Sequence, residues 1–205
     1  MLPLILFAGI FSAEIAGVFF LAYRVIQLPL GLAGNGVSEV FYSKVSLLKQ
    51  KDDIKKVVIN TFLGLLIAAT TSFIILVFFA PKLFSIVFGD NWEIAGTYVQ
   101  YLLPWLLIQF CVSSVSRVVL VLEKQRGLLV SQVIFLVTRI GVILIGSYFG
   151  LSAEELILYF SFVSAFLYIG HFLWICSILD IGFKELLMAI NLSFSSICLR
   201  FKRVF

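Results

Sequence analysis

Apolar residues run almost unbroken through five stretches of the chain, roughly 15–40, 57–80, 94–122, 127–149 and 156–179. Each is at least as long as the ~20 residues a helix needs to cross a bilayer core. A further apolar run, 2–11, is too short to span and reads as the outer half of a helix. It predicts that a preceding segment is missing from the N-terminus. The pattern therefore predicts an all-α fold, a polytopic transmembrane bundle over residues 1–180 with five full spans and one partial span. Residues 181–205 follow as a tail. Within it, 186–199 is apolar over only 14 residues and ends in Arg200, Lys202 and Arg203, which predicts a cytoplasmic interfacial helix with a basic end.

Polar and small residues interrupt the spans at helical spacing. Arg24, Gln27, Gly31, Gly34 and Ser38 are three and four apart in turn and share one face of the first span. The second carries Asn60, Gly64, Ala68 and Thr71; the third, Gln109, Ser113 and Ser116. Gln132, Arg139 and Gly146 recur every seven residues on the fourth, and Ser161, Ser164, Tyr168 and His171 line the fifth. Small residues and hydroxyls on such stripes serve helix packing. Amides and charges call for more. Pro29 and Pro104 lie inside spans, where a missing donor and a steric clash predict kinks.

Arg24 stands about ten residues, or roughly 15 Å, from the outer end of its span, and Arg139 a similar depth from the inner end of its own. A midplane arginine costs at least ~2.5 kcal/mol on the most lenient scale, so both must face protein or water. No acidic residue lies at that depth. Two deep cations without deep anions predict a shared cationic cavity for an anionic substrate, lined also by Gln27, Gln109 and Gln132. Pairing with backbone carbonyls or with an acid on another segment is the alternative. Arg117 lies nearer an interface and reads either as a snorkelling anchor or as a further cavity residue. His171, the lone histidine, reads as a packing residue before a proton relay.

Charge sets the orientation. Eleven of the 15 Lys and Arg residues fall in 44–56, 123–126 and 180–205; one, Lys82, falls in the alternate connections. Basic connections stay cytoplasmic, so the C-terminus is expected inside an inner (plasma) membrane. At 62% hydrophobic residues the chain far exceeds the ~45–50% of soluble domains, so the lipid bilayer must cover the rest. The net charge of +4 sits at membrane edges and points to anionic headgroups rather than nucleic acid. Cys111, Cys176 and Cys198 are far apart in apolar helices and read as packing residues. No His/Cys/carboxylate spacing suits a metal, no Gly-rich loop a phosphate, and no nucleophile elbow appears. No cofactor is expected and no enzymatic activity, since acid–base groups at an interface are scarce.

Four strings together resemble one family: EIAGVFFLAYRVIQLPLG (14–31), EVFYSKVS (39–46), VFGDNWEIAGTYVQYLLP (87–104) and LEKQ (122–125) before a fresh span. The chain resembles the C-terminal half of polysaccharide-repeat, O-antigen-type flippases of the multidrug/oligosaccharidyl-lipid/polysaccharide exporter superfamily, over about residues 1–180. The resemblance implies two six-helix lobes around a central cavity and transfer of undecaprenyl-diphosphate-linked oligosaccharide between leaflets. It implies that basic cavity residues hold the diphosphate or acidic sugars, and that Gly89, Asp90 and Trp92 form an outer-loop motif. The first lobe would be the missing partner, supplied by a preceding segment or a second copy. The remaining readings are a drug or peptidoglycan-precursor exporter of the same superfamily, a membrane-embedded glycan-processing enzyme, and a truncated, inactive remnant.

Overall fold

The computed structural model describes residues 2–182 and 184–189, and all its regular structure there is helical. A short helix α1 (Leu2–Ile10) leads into α2 (Ala13–Ser46), whose first turn is capped by the Ser12 hydroxyl accepting from the Ile15 amide. Helix α3 (Lys51–Phe88) ends at Gly89, whose φ of +98° is open to glycine at little cost. A 3₁₀ turn, Asp90–Trp92, follows, then α4 (Glu93–Val115), the single-turn α5 (Val118–Val121), α6 (Gln125–Tyr148) and α7 (Ala153–Ile178). Ser152 and Glu155 form a reciprocal capping box at the start of α7. Five of these stretches are long and apolar enough to cross a membrane.

The helices run past the expected stretches: α2 continues beyond 40 to Ser46. The helix that holds the second, 57–80, runs from Lys51 to Phe88, with Pro81 and Lys82 inside the helix rather than in a connection. The third falls within one stretch, Asp90–Val121, long and apolar enough to span, but inside it α4 stops at Val115, and Ser116–Arg117 form a turn where bonding tightens, the Leu120 amide donating to the Arg117 carbonyl. Pro29 and Pro104 both lie inside unbroken helices. The tail reading falls largely outside the described residues, although 184–189 are helical.

α4 is the centre of the bundle, with α2, α3 and α7 packed around it. Its crossing with α3 is close because Gly96 has no side chain: a Cβ there would sit 2.4 Å from the Pro81 Cα and 2.6 Å from the Ala80 carbonyl. Pro81 lacks an amide hydrogen, which strands the carbonyl one turn back, at Val77. Gln100 of α4 fills that gap, its Nε2 donating to the Val77 oxygen at 2.5 Å. In hydrocarbon no water could do so. The proline, the glycine and the glutamine thus form one crossing device.

The buried residues separate into two clusters. One gathers Phe7, Phe19, Phe73, Tyr98, Trp105, Leu156 and Phe160 toward the end bearing α1 and the 3₁₀ turn. The other gathers Phe41, Val58, Val115, Val118, Phe172 and Leu179 toward the opposite end. There Lys51 pairs with Asp180, which brings the α2–α3 connection and the end of α7 to the same edge. Lys51, hydrogen-bonded to Asp180, holds that carboxyl below its ordinary range. The outer surface between the two ends is apolar, with Leu32, Phe78, Val137 and Phe166 all more than 60% exposed. Such a belt is what a hydrocarbon solvent requires.

Candidate functional site

Arg139 enters the bundle from α6 into the space between α4, α7 and α1. Its guanidinium carbon lies 4.8 Å from the centre of the Trp105 ring, 5.6 Å from Tyr168, 5.7 Å from Phe135 and 5.8 Å from Phe160. All four fall within the range of cation–π attraction, which offsets part of the cost of a desolvated charge. The Nε donates to the Ser164 hydroxyl at 3.1 Å. Nη2 is buried and has no hydrogen-bond partner among the described residues.

Arg139 lines a cavity of about 110 Å³, with Tyr23, Trp105, Gln109 and apolar residues of α1, α2, α6 and α7. Two further buried polar atoms on the same lining lack partners, the Trp105 Nε1 and the Gln109 Oε1. Two unused donors and one acceptor on residues around one small void are unusual, because buried polar groups are nearly always bonded. The void is smaller than the ~150 Å³ engineered cavity that takes benzene, yet exceeds many times the 10–15 Å³ that one water needs. It suits a few waters or one small anionic group.

Gln109 also lines a second cavity, of about 270 Å³, on its other side. Its polar walls are Gln27, Asn35 and Ser38 of α2 with Ser113 and Arg117 beyond α4's midpoint, and the open backbone at Gly31 and Gly34 completes it. Ser113 and Ser116 spend their hydroxyls on carbonyls of α4, at Phe110 and Val112. The second cation on this tract is therefore Arg117, half-buried at the turn between α4 and α5.

The expectation that Arg24 and Arg139 share one cavity does not hold for the cavity that Arg139 lines. Arg24 is exposed on the uncovered side of α2 and is not on the lining of the Arg139 cavity. One residue earlier, Tyr23 turns inward and stacks on Trp105 at 5.7 Å. The reason is geometric: a step of one residue rotates 100° around the helix, so α2 packs on α4 through Tyr23 and Ile26 and leaves Arg24 outside. Gln132 is likewise exposed, two turns from Arg139, and joins neither cavity. Asn60, Gly64 and Thr71, expected on an inward stripe, are exposed on α3. His171 is 5% exposed, lies between the rings of Phe135 (5.8 Å) and Trp174 (5.4 Å), and faces a separate groove. Gly89 makes its turn, Asp90 accepts from the Ser85 hydroxyl at 2.5 Å, and Trp92 packs on the core: the outer-loop motif is explained by local structure.

Sequence reasoning did not single out the aromatic cage. Trp105, Phe135, Phe160 and Tyr168 sit on three helices; steps of four put Phe160 and Tyr168 on one face and Phe135 beside Arg139, but nothing in linear spacing joins the three helices. A signal existed in Ser161 and Ser164, which face two neighbours: Ser161 accepts from the Trp105 amide of α4 at 3.3 Å, just past Pro104, and Ser164 accepts from Arg139 of α6. Among the described residues no three His, Cys, Asp or Glu side chains converge as metal ligands.

Residues 2–96, covering α1 to the start of α4, match the family model described as polysaccharide biosynthesis protein. No curated protein and no solved structure matches the chain.

Proposed function

We propose that this chain forms the substrate-facing wall of a membrane transporter that moves an anionic, lipid-linked oligosaccharide across the bilayer during polysaccharide biosynthesis. The carrying observation is the Arg139 cavity: a cation held by four rings and one hydroxyl, with a buried donor left over. The Trp105 Nε1 adds a second unused donor. Donors without a carboxylate partner favour an acceptor-rich anion such as a diphosphate over a cationic drug. At about 110 Å³ the cavity has no room for a sugar ring, so the glycan belongs to the wider polar tract through Gln109 to Arg117. The match of residues 2–96 to polysaccharide biosynthesis proteins supports the substrate class. Undecaprenyl-diphosphate is the carrier this reading expects. The same reading makes the chain a carrier rather than an enzyme, in an inner membrane with the Lys51–Asp180 end on the cytoplasmic side.

The test replaces Arg139 in the gene product as its host expresses it. Arg139→Ala should abolish surface polysaccharide at unchanged protein level, and Arg139→Lys should keep part of it, since the charge stays but the planar fork is lost. Full display by the alanine variant would end the proposal.

A further inference from the structure

We propose that the groove between α2 and α3, at the end of the bundle that carries the Lys51–Asp180 pair, binds one anionic phospholipid, with its phosphate on Lys44 and one acyl chain along the groove. The inference is independent of the transport reading.

α2 and α3 follow each other in the chain, yet each packs on α4 and they barely touch one another. Near their joined ends a groove of about 400 Å³ opens between them. Gly36, Val37, Val40 and Phe41 of α2 form one wall, Val57 and Thr61 of α3 the other, and Lys44 stands at the end nearer the connection. The volume is more than twice the ~150 Å³ void that holds benzene. The groove can be reached from outside: Val40 is 71% exposed, and Gly36 and Lys44 are exposed as well. No atom lies within reach of a side chain at Gly36.

Depth and charge together select the occupant. The apolar stretches stop at residue 40 on α2 and start at 57 on α3, which sets the hydrocarbon boundary near those positions. Lys44 lies one turn outside it, about 6 Å beyond Val40, where lipid headgroups begin. Gly36 lies about 6 Å inside it, short of the ~15 Å to the midplane, so the groove stays within one leaflet. The acids beside the connection are paired, Asp52 with Lys55 and Asp53 with Lys56, and Asp180 holds Lys51. Glu39 of α2 is not on the groove's lining. Lys44 has no ion pair among the described residues. It sets a point charge at the end of an apolar slot, the complement of a phosphate on an acyl chain.

A second copy of the chain fits less well. Two copies related by an axis along the membrane normal bring equal depths together, so lysine would face lysine at this level.

The experiment titrates the purified full chain in detergent with phosphatidylglycerol and with phosphatidylcholine of the same acyl chains, and counts retained lipid by native mass spectrometry. One phosphatidylglycerol should be retained, with about fivefold preference over the zwitterionic lipid, the share of one lysine. Lys44→Gln should keep its helical circular dichroism and lose the preference, whereas Lys49→Gln, on the same edge but off the groove, should keep both. Gly36→Leu, which fills the slot, should lose retention of either lipid. Equal retention of the two lipids by the unaltered chain would overturn the proposal. A preference that Lys49→Gln removes as fully as Lys44→Gln would also overturn it, because a diffuse basic surface would then suffice. So would competition by glycerol phosphate, which has no acyl chain, or disulfide dimers specific to Gly36→Cys in phosphatidylglycerol vesicles, which would place protein in the groove.

Discussion

α2 and α4 have almost the same hydropathy and opposite surroundings. In the span built on α4, 44% of the most apolar window is buried; in α2 the figure is 11%. In water such a difference would be written in the sequence, since an exposed face must be polar. In lipid both faces are apolar whatever they touch, and the distinction passes to small residues and to where polar groups point. Gly96 of α4 is pressed against the α3 backbone, whereas Gly36 of α2 has nothing within reach of a Cβ. Arg139 faces inward to a cage beside α4; Arg24 faces outward from α2.

The sharpest way to break this contrast is at the glycines. Gly96→Leu should cost about 3 kcal/mol or more, because the obstructing atoms are backbone and cannot rotate away. Gly36→Ala should be neutral or stabilise by about 0.5–1 kcal/mol. Unfolding in mild detergent, followed by circular dichroism, measures both. Similar losses at the two sites would mean that α2 is covered by protein as α4 is.

The arginines come next. Arg139→Met should stabilise the folded chain by about 1–2 kcal/mol, as the saved burial of a charge exceeds the lost cation–π attraction, even while function is lost. Arg24→Leu should leave melting of the isolated chain nearly unchanged. A marked drop in melting temperature for Arg139→Met would assign the residue to structure instead.

A smaller effect tests how α4 serves its neighbour. Gln100→Leu strands the Val77 carbonyl and should cost about 0.6–1.7 kcal/mol. Adding Pro81→Ala returns a helical donor to that carbonyl and should recover most of the loss. Additive losses in the double mutant would refute the account.

The smallest effect lies at the basic end. Asp180 is left-handed, with φ of +53°, a conformation that Asn tolerates, so Asp180→Asn isolates the pair with Lys51. The Asp180 pKa is lowered in the folded state, so the pair contributes above the ordinary value of 3.8 and fades as pH falls through the lower one. The two chains should differ slightly at neutral pH and converge in acid. A difference that grows on acidification would contradict the pairing.

Much of this was legible in the chain. Hydrophobic length alone determines that the protein is all-helical with five stretches able to span, because in hydrocarbon each segment must satisfy its own backbone. The depth of Arg139 and the absence of a nearby acid were equally plain, since both follow from counting residues. What tertiary structure decided is which neighbours those residues meet. Tyr23 rather than Arg24 turns inward, Arg117 rather than Arg24 shares the Gln109 tract, and Pro81 continues a helix because Gln100 supplies the donor it removes. Periodicity places a residue on a face of its own helix. Only packing between helices determines whether that face looks onto a partner, a cavity or lipid, and where every face is apolar the sequence carries little record of that choice.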